Sequence, residues 1–203
     1  IYNYKKLKKK MIQSGEVFSS DTDTEVILKY YIKYGEKCFE KFKGMWAIII
    51  FDQIKNELLI CRDRFGIKPL YYFISSNGDV YFGSEIKQFI KTPLWEAKLN
   101  KNRAYDYLIH SQIDHTDETL FKDVYQCPQG HFIKINLDLE NNKINDKFKT
   151  HKWYNFEKSK KKNKTSFKDS KEYLKKLINY SIDEHKISDV PISYSLSGGL
   201  DSS

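Results

Sequence analysis

Two short apolar runs, residues 70–74 and 80–83, are separated by Ser75-Ser76-Asn77-Gly78-Asp79. An Asn-Gly pair tolerates the positive φ angles that hairpin turns require, so the two runs predict antiparallel strands. Hairpins need no helical crossover, which sets this half of the chain apart from a parallel βαβ repeat. Residues 45–51 (MWAIIIF) form an unbroken apolar run, short and bulky, that predicts a strand buried on both faces. The chain turns at residues 52–55 and a return strand is expected over 57–61. Another strand is expected at 131–135, after the Pro128-Gln129-Gly130 turn. The expected fold class is therefore α+β.

Helical spacing brackets these strands. Leu7 and Met11 predict a helix over residues 4–14, stopped by Gly15. Thr22-Asp23-Thr24-Glu25 reads as a capping box opening a second helix, which carries Val26, Ile27, Tyr30 and Tyr31 to Gly35. A short amphipathic turn with Cys38, Phe39 and Phe42 ends at Gly44, and a further helix is expected over residues 101–110. Residues 138–165 are rich in Asn, Lys, Asp and Thr around an aromatic anchor, Trp153-Tyr154, and a domain boundary is expected near residue 155. Beyond it, Leu174, Leu177, Ile178 and Ile182 form one apolar stripe on a helix expected over residues 167–187. A strand over 192–196 and the loop Ser197-Gly198-Gly199-Leu200-Asp201-Ser202-Ser203 would follow. Helix, strand and Gly-rich loop in that order are how a nucleotide-binding α/β domain begins.

Composition excludes several classes. Hydrophobic residues are 40% of the 203 and aromatics 15%, enough to pack a core. No apolar run approaches the roughly 18 residues of a membrane span, so no membrane partner is expected. The formal net charge of +8 comes from lysines scattered among acids. The densest run, residues 158–164, reads as a solvated connector, so nucleic acid is not an expected partner. Cys38, Cys61 and Cys127 are odd in number and unpaired in spacing, which fits free thiols in a reducing cytoplasm.

Three motifs carry chemistry. In SGGLDSS, adjacent glycines after a strand let backbone N–H groups approach an anion, and the hydroxyls add donors. The loop lacks the Gly-Lys-Ser/Thr ending of a Walker-type phosphate loop; a Ser-Gly-Gly turn can equally be only a turn. Arg62-Asp63-Arg64-Phe65-Gly66-Ile67-Lys68-Pro69-Leu70-Tyr71-Tyr72 is, by its residues, a charged corner leading into the hairpin, and charged corners are commonly architectural. In Thr22-Asp23-Thr24-Glu25, Asp23 is either a helix-dipole complement or a ligand.

The full SGGLDSS string, preceded by Ser188-Asp189-Val190-Pro191, resembles the phosphate loop of the ATP pyrophosphatases and specifically the asparagine synthetase family. The Arg62–Tyr72 string, with Phe82-Gly83-Ser84-Glu85-Ile86-Lys87 and Gly44-Met45-Trp46-Ala47, resembles class II glutamine amidotransferases of that type. The resemblance implies a layered αββα glutaminase of the N-terminal-nucleophile type over residues 1–155, lacking its N-terminus. Residues 156–203 would be a linker and the beginning of an ATP-binding synthetase domain.

By the same resemblance, Asp23 binds the α-amino group of glutamine, since an ammonium needs an anionic acceptor. Thr22 stands where the family has serine. ATP or pyrophosphate would bind at Leu196, Ser197, Gly198, Gly199, Asp201, Ser202 and Ser203. Ile1-Tyr2-Asn3 resembles the end of the family segment Asn-Gly-Glu-Ile-Tyr-Asn, whose first two residues supply the oxyanion hole. The nucleophilic cysteine and those donors would lie upstream of Ile1, so the chain on its own is expected to be inactive and to hold no catalytic residue. The parent enzyme would use glutamine, aspartate and ATP with Mg²⁺, reside in the cytoplasm and form a homodimer. Two alternatives stay open: an amidotransferase acting on another carboxylate, and a catalytically dead paralogue.

Overall fold

The computed structural model describes residues 1–138, 143–144, 148–159 and 166–200. In chain order the elements are α1 (Tyr4–Gln13), α2 (Asp23–Tyr34), a 3-10 helix (Gly35–Lys41), β1 (Ala47–Asp52), β2 (Glu57–Arg62), β3 (Tyr71–Ile74) and β4 (Val80–Gly83). A 3-10 helix (Ile86–Lys91), α3 (Lys101–His110), β5 (Val124–Gln126), β6 (His131–Asp138), β7 (Lys143–Ile144), β8 (Lys149–Lys152), α4 (Phe156–Ser159) and α5 (Phe167–His185) follow. The chain divides into two compact units. One gathers Ile1–Lys29, Phe42–Gly44 and the described part of Lys160–Ser203; the other holds Tyr30–Lys41 and Met45–Ser159.

The second unit is a sandwich of antiparallel sheets, as the hairpin signal requires. One sheet runs β1-β2-β6-β7, with β8 also paired to β6; the other runs β4-β3-β5. The pairing Ile60↔Ile133 sets the first sheet's inner face, because cross-strand partners share a side of the pleat. Ile60, Ile133 and Ile135 pack there with Leu70 and Cys127, and Tyr72 and Phe82 reach in from the second sheet. Burying each large aliphatic side chain stabilises the fold by about 1.5–3 kcal/mol.

The outer faces are covered as well. Phe73 and Val124 pack with Phe89 of the second 3-10 helix, and Trp95 lies against them. On the first sheet's outer face, Phe39 of the first 3-10 helix stands 6.1 Å from Phe132, centroid to centroid. Helix, sheet, sheet, helix is the layered αββα order expected from the resemblance.

The 70–83 hairpin forms as read. Gly78 takes φ +88°, and Ser75 closes a five-residue loop by donating its N–H to the Asp79 carbonyl at 2.8 Å. At Gly83 a Cβ would stand 2.6 Å from Gln88 Oε1, so a side chain there would displace the Gln88 amide.

Two expectations need correction. The 45–51 run is not buried on both faces: β1 is the edge strand of its sheet, and Ile49 and Phe51 are 44% and 45% exposed. The doubly covered strand is β2, which the pattern did not distinguish. Residues 192–196 form no strand: the backbone there makes none of the ladder hydrogen bonds that define one. The helix expected over residues 167–187 forms as α5, and its apolar stripe is half exposed.

Candidate functional site

The first unit presents a cleft of ≈ 1070 Å³ whose lining includes Ile1, Tyr2, Lys8, Asp21, Thr22 and Asp23. Segment 1–3 is fixed by the backbone: Tyr2 N–H donates to the Lys43 carbonyl at 2.8 Å. Asn3, itself buried, accepts the Lys43 N–H on Oδ1 at 3.0 Å.

At the start of α2 the capping roles are divided differently from a simple box. Thr22 Oγ1 accepts the Glu25 N–H at 3.5 Å. The Glu25 carboxylate does not return to Thr22; it accepts the N–H groups of Ser19 at 2.9 Å and Ser20 at 2.7 Å. The hydroxyls of Ser19 and Ser20 donate to it as well. The Ser19 backbone bond, followed by the Ser20 hydroxyl, holds the Glu25 carboxyl down at about 2. Thr22 and Glu25 make these bonds, whereas Asp23 Oδ2 accepts from the Ile1 nitrogen; the Asp23 side chain is 42% exposed and lines the cleft. The seryl pair at 19–20 is the partner that sequence reasoning missed, and its signal is local. Two hydroxyl residues stand five and six positions before a glutamate in the first turn.

The predicted phosphate-loop residues lie elsewhere in the same unit. Leu196 is exposed, Gly198 adopts φ +73° with no atom within 4 Å of where a Cβ would stand, and the Gly199 N–H donates to Ser197 Oγ at 3.4 Å. Asp201, Ser202 and Ser203 fall outside the described residues. The cleft that holds Asp23 reaches Ile187, Ser188 and Asp189 but, among the described residues, not the loop itself.

The Arg62–Leu70 corner is architectural. Asp63 is completely buried, and its carboxylate accepts four backbone N–H groups: Phe65 and Ile67 on Oδ1, Lys68 and Trp46 on Oδ2, at 3.0 to 3.2 Å. Arg62 donates to the carbonyls of Gly66, Lys68 and Cys127 and to Gln126 Oε1. Gly66, at φ +66°, leaves room for that guanidinium, only 3.0 Å from where a Cβ would sit. Arg64 lies 5.0 Å from the Trp153 ring centroid and 5.3 Å from that of Tyr154.

Cys38, Cys61 and Cys127 are buried and free. Desolvation pushes the Cys38 and Cys127 thiols up to about 12 and Cys61 well above its ordinary value. A thiol protonated at neutral pH is no nucleophile, so these are core residues. Among the described residues, no group of three or more His, Cys, Asp or Glu side chains could hold a metal ion, and no helix is long and apolar enough to cross a membrane.

The layered sandwich has a solved counterpart. The allosteric regulatory enzyme of purine biosynthesis superposes with a TM-score of 0.51 over 76% of this chain and 27% of its own, at 18% identity, a likeness that speaks for the fold. Sequence comparison defines the class further. The profile of the glutamine amidotransferase domain matches residues 1–154, and the chain belongs to that family.

Among its relatives, the putative asparagine synthetase [glutamine-hydrolyzing] 2 of Methanocaldococcus jannaschii is 35% identical across 100% of this chain and 37% of its own length. Asparagine synthetase [glutamine-hydrolyzing] 3 of Bacillus subtilis is 29% identical over 100% of this chain and 31% of its own. Amidase chry2 of Gibberella zeae is 26% identical over 100% of this chain and 28% of its own. The chain thus spans about a third of the length of the curated relatives it matches.

Proposed function

We propose that this chain belongs to a glutamine-dependent, ATP-using amidotransferase of the asparagine synthetase type. Residues 1–155 act as the glutaminase domain and 156–203 begin the ATP-binding domain. The observation that carries this reading is the Asp23 carboxylate, which lines the cleft in a chain of the amidotransferase family. It suits the ammonium of a bound glutamine, a charge-assisted partner. The amide would be attacked by a cysteine upstream of Ile1, and the released ammonia would travel to the synthetase site.

There ATP would activate the side-chain carboxyl of aspartate as an acyl-adenylate, and ammonia would displace AMP to give asparagine, pyrophosphate having left in the first step. Residues Leu196, Ser197, Gly198, Gly199, Asp201, Ser202 and Ser203 are the proposed phosphate cradle. The left-handed Gly198, open where a Cβ would stand, supports backbone access to an anion. Mg²⁺ would arrive largely on the ATP phosphates, its usual mode in nucleotide sites; the described residues offer it no cluster of their own, and no step is routed through it. A cytoplasmic setting is supported by the three buried free thiols. A homodimer remains part of the reading.

A second reading is an amidotransferase acting on a different carboxylate; what favours it is that a relative not named an asparagine synthetase, Amidase chry2, also matches this chain over its whole length. Incubating the full-length gene product with glutamine, ATP and aspartate distinguishes the two. Asparagine formation matched to AMP release supports the first reading; glutamine hydrolysis without asparagine supports the second.

A further inference from the structure

The use of Asp23 depends on where the loop entering α2 sits, and that loop is gripped from two sides. From within α2, Glu25 takes the N–H groups and hydroxyls of Ser19 and Ser20. From α1, Lys8 Nζ donates to the Ser20 carbonyl at 2.7 Å and to Asp21 Oδ1 at 2.6 Å. Those anchor points lie two and three residues before Asp23. Phe18 completes the clasp: the Lys8 and Lys29 ammonium groups each stand 5.2 Å from its ring centroid.

The position of Lys8 follows from its own helix. Leu7 and Met11 are the buried residues of α1, and Lys8 sits beside them on the helix surface. Its side chain is 17% exposed, whereas that of Asp21 is fully exposed. An ion pair to an exposed carboxylate contributes little by itself. The bond to the Ser20 carbonyl differs, because it fixes backbone and so restricts the path of the chain into Asp23. Both Lys8 hydrogen bonds go to the loop.

We propose that Lys8 is a positioning residue for the glutamine site, holding the 19–22 loop so that the Asp23 carboxylate stands beside segment 1–3. This rests on the reading of Asp23 given above. Without the α1 anchor, the loop samples arrangements in which the carboxylate is displaced. Ligand affinity falls in proportion to the fraction of molecules in the competent arrangement. The effect falls on capture of glutamine; the bond-breaking step is untouched once the ligand is seated.

The test uses the full-length gene product with glutamine-driven and ammonia-driven synthesis measured side by side. Lys8→Met keeps the aliphatic stem and removes the donors. The expected result is a rise of roughly fivefold in KM for glutamine, with kcat and the ammonia-driven rate within about twofold of wild type. Lys8→Arg, which keeps charge and donors, should restore KM to within about twofold. Glu25→Gln loosens the same loop from inside α2 and should raise KM in the same direction, so the proposal stays testable if one variant folds poorly. An unchanged KM in these variants, alongside a large loss in Asp23→Asn, overturns the positioning role and leaves the Asp23 reading standing. An ammonia-driven rate that falls as far as the glutamine-driven one overturns it too, as general destabilisation. Unimpaired glutamine use by Asp23→Asn overturns both.

Discussion

The corner at Asp63 and the helix start at Asp23 both place an acidic side chain where backbone N–H groups converge, yet they end in opposite states. At the corner, four N–H groups consume the Asp63 carboxylate and no part of it reaches solvent. At the helix start, the equivalent task falls to Glu25 and Thr22, and Asp23 faces a cleft. The difference teaches how to separate architecture from chemistry among acidic residues in one chain. A carboxylate whose lone pairs are all taken by its own backbone is a structural knot; one whose neighbours have assumed that work is left facing the cleft.

The largest effect should come from untying the knot. Asp63→Ala strands the buried N–H of Trp46, at about 1–3 kcal/mol, and removes the acceptor of the part-buried N–H groups of Phe65, Ile67 and Lys68. Because those three can turn to water, a loss of about 2–4 kcal/mol is expected. Urea denaturation of the isolated chain reads it directly, and a loss below about 1 kcal/mol would remove the structural reading of the corner.

Asp23→Asn should do the reverse, barely moving the urea midpoint while damaging chemistry. A charge-assisted bond contributes about 1.5–3 kcal/mol, so glutamine-driven kcat/KM should drop by roughly 10- to 150-fold in the full-length protein. Ammonia-driven synthesis should persist. Glutamine use within about twofold of wild type, the size of a dipole effect, would return Asp23 to the helix cap.

Gly198→Val tests a third region against these two. A branched side chain at φ +73° costs about 1–2 kcal/mol and crowds any phosphate on that backbone. We expect ATP-dependent synthesis to fall by about tenfold or more while glutaminase activity survives. Equal damage to both activities would argue against separate sites.

The smallest effect concerns pH. Glu25 is held at about 2, below its ordinary 4.5, so the stability it contributes is complete above pH 4.5 and is lost as pH falls toward 2. The group is solvent-exposed, and the contribution is correspondingly small. The difference in Tm between wild type and Glu25→Gln should therefore narrow as melts move from neutral pH to pH 3. A constant difference across that range would mean that the carboxylate is not gripped as described.

Local signals were legible where their cause is local. α1, α2, α3 and the 70–83 hairpin follow from apolar spacing and from glycines at left-handed positions, features set within a few residues of each other. β5 and β8 were not legible: Val124–Gln126 and Lys149–Lys152 are short or polar and are strands because β3 and β6 offer them partners. The exposure of Ile49 and Phe51 was likewise invisible, since hydrophobicity does not report whether a strand sits at the edge of its sheet.

At the site, the sequence by itself determined that Thr22-Asp23-Thr24-Glu25 starts a helix, because capping joins residues three apart. It left Asp23 as cap or ligand. Tertiary structure added what surrounds it: Ser19 and Ser20 fold back on Glu25, Lys8 reaches across from α1, and Asp23 lines a cleft. Which acceptor takes which N–H group depends on where a preceding loop lies in space, and that is fixed by packing between helices.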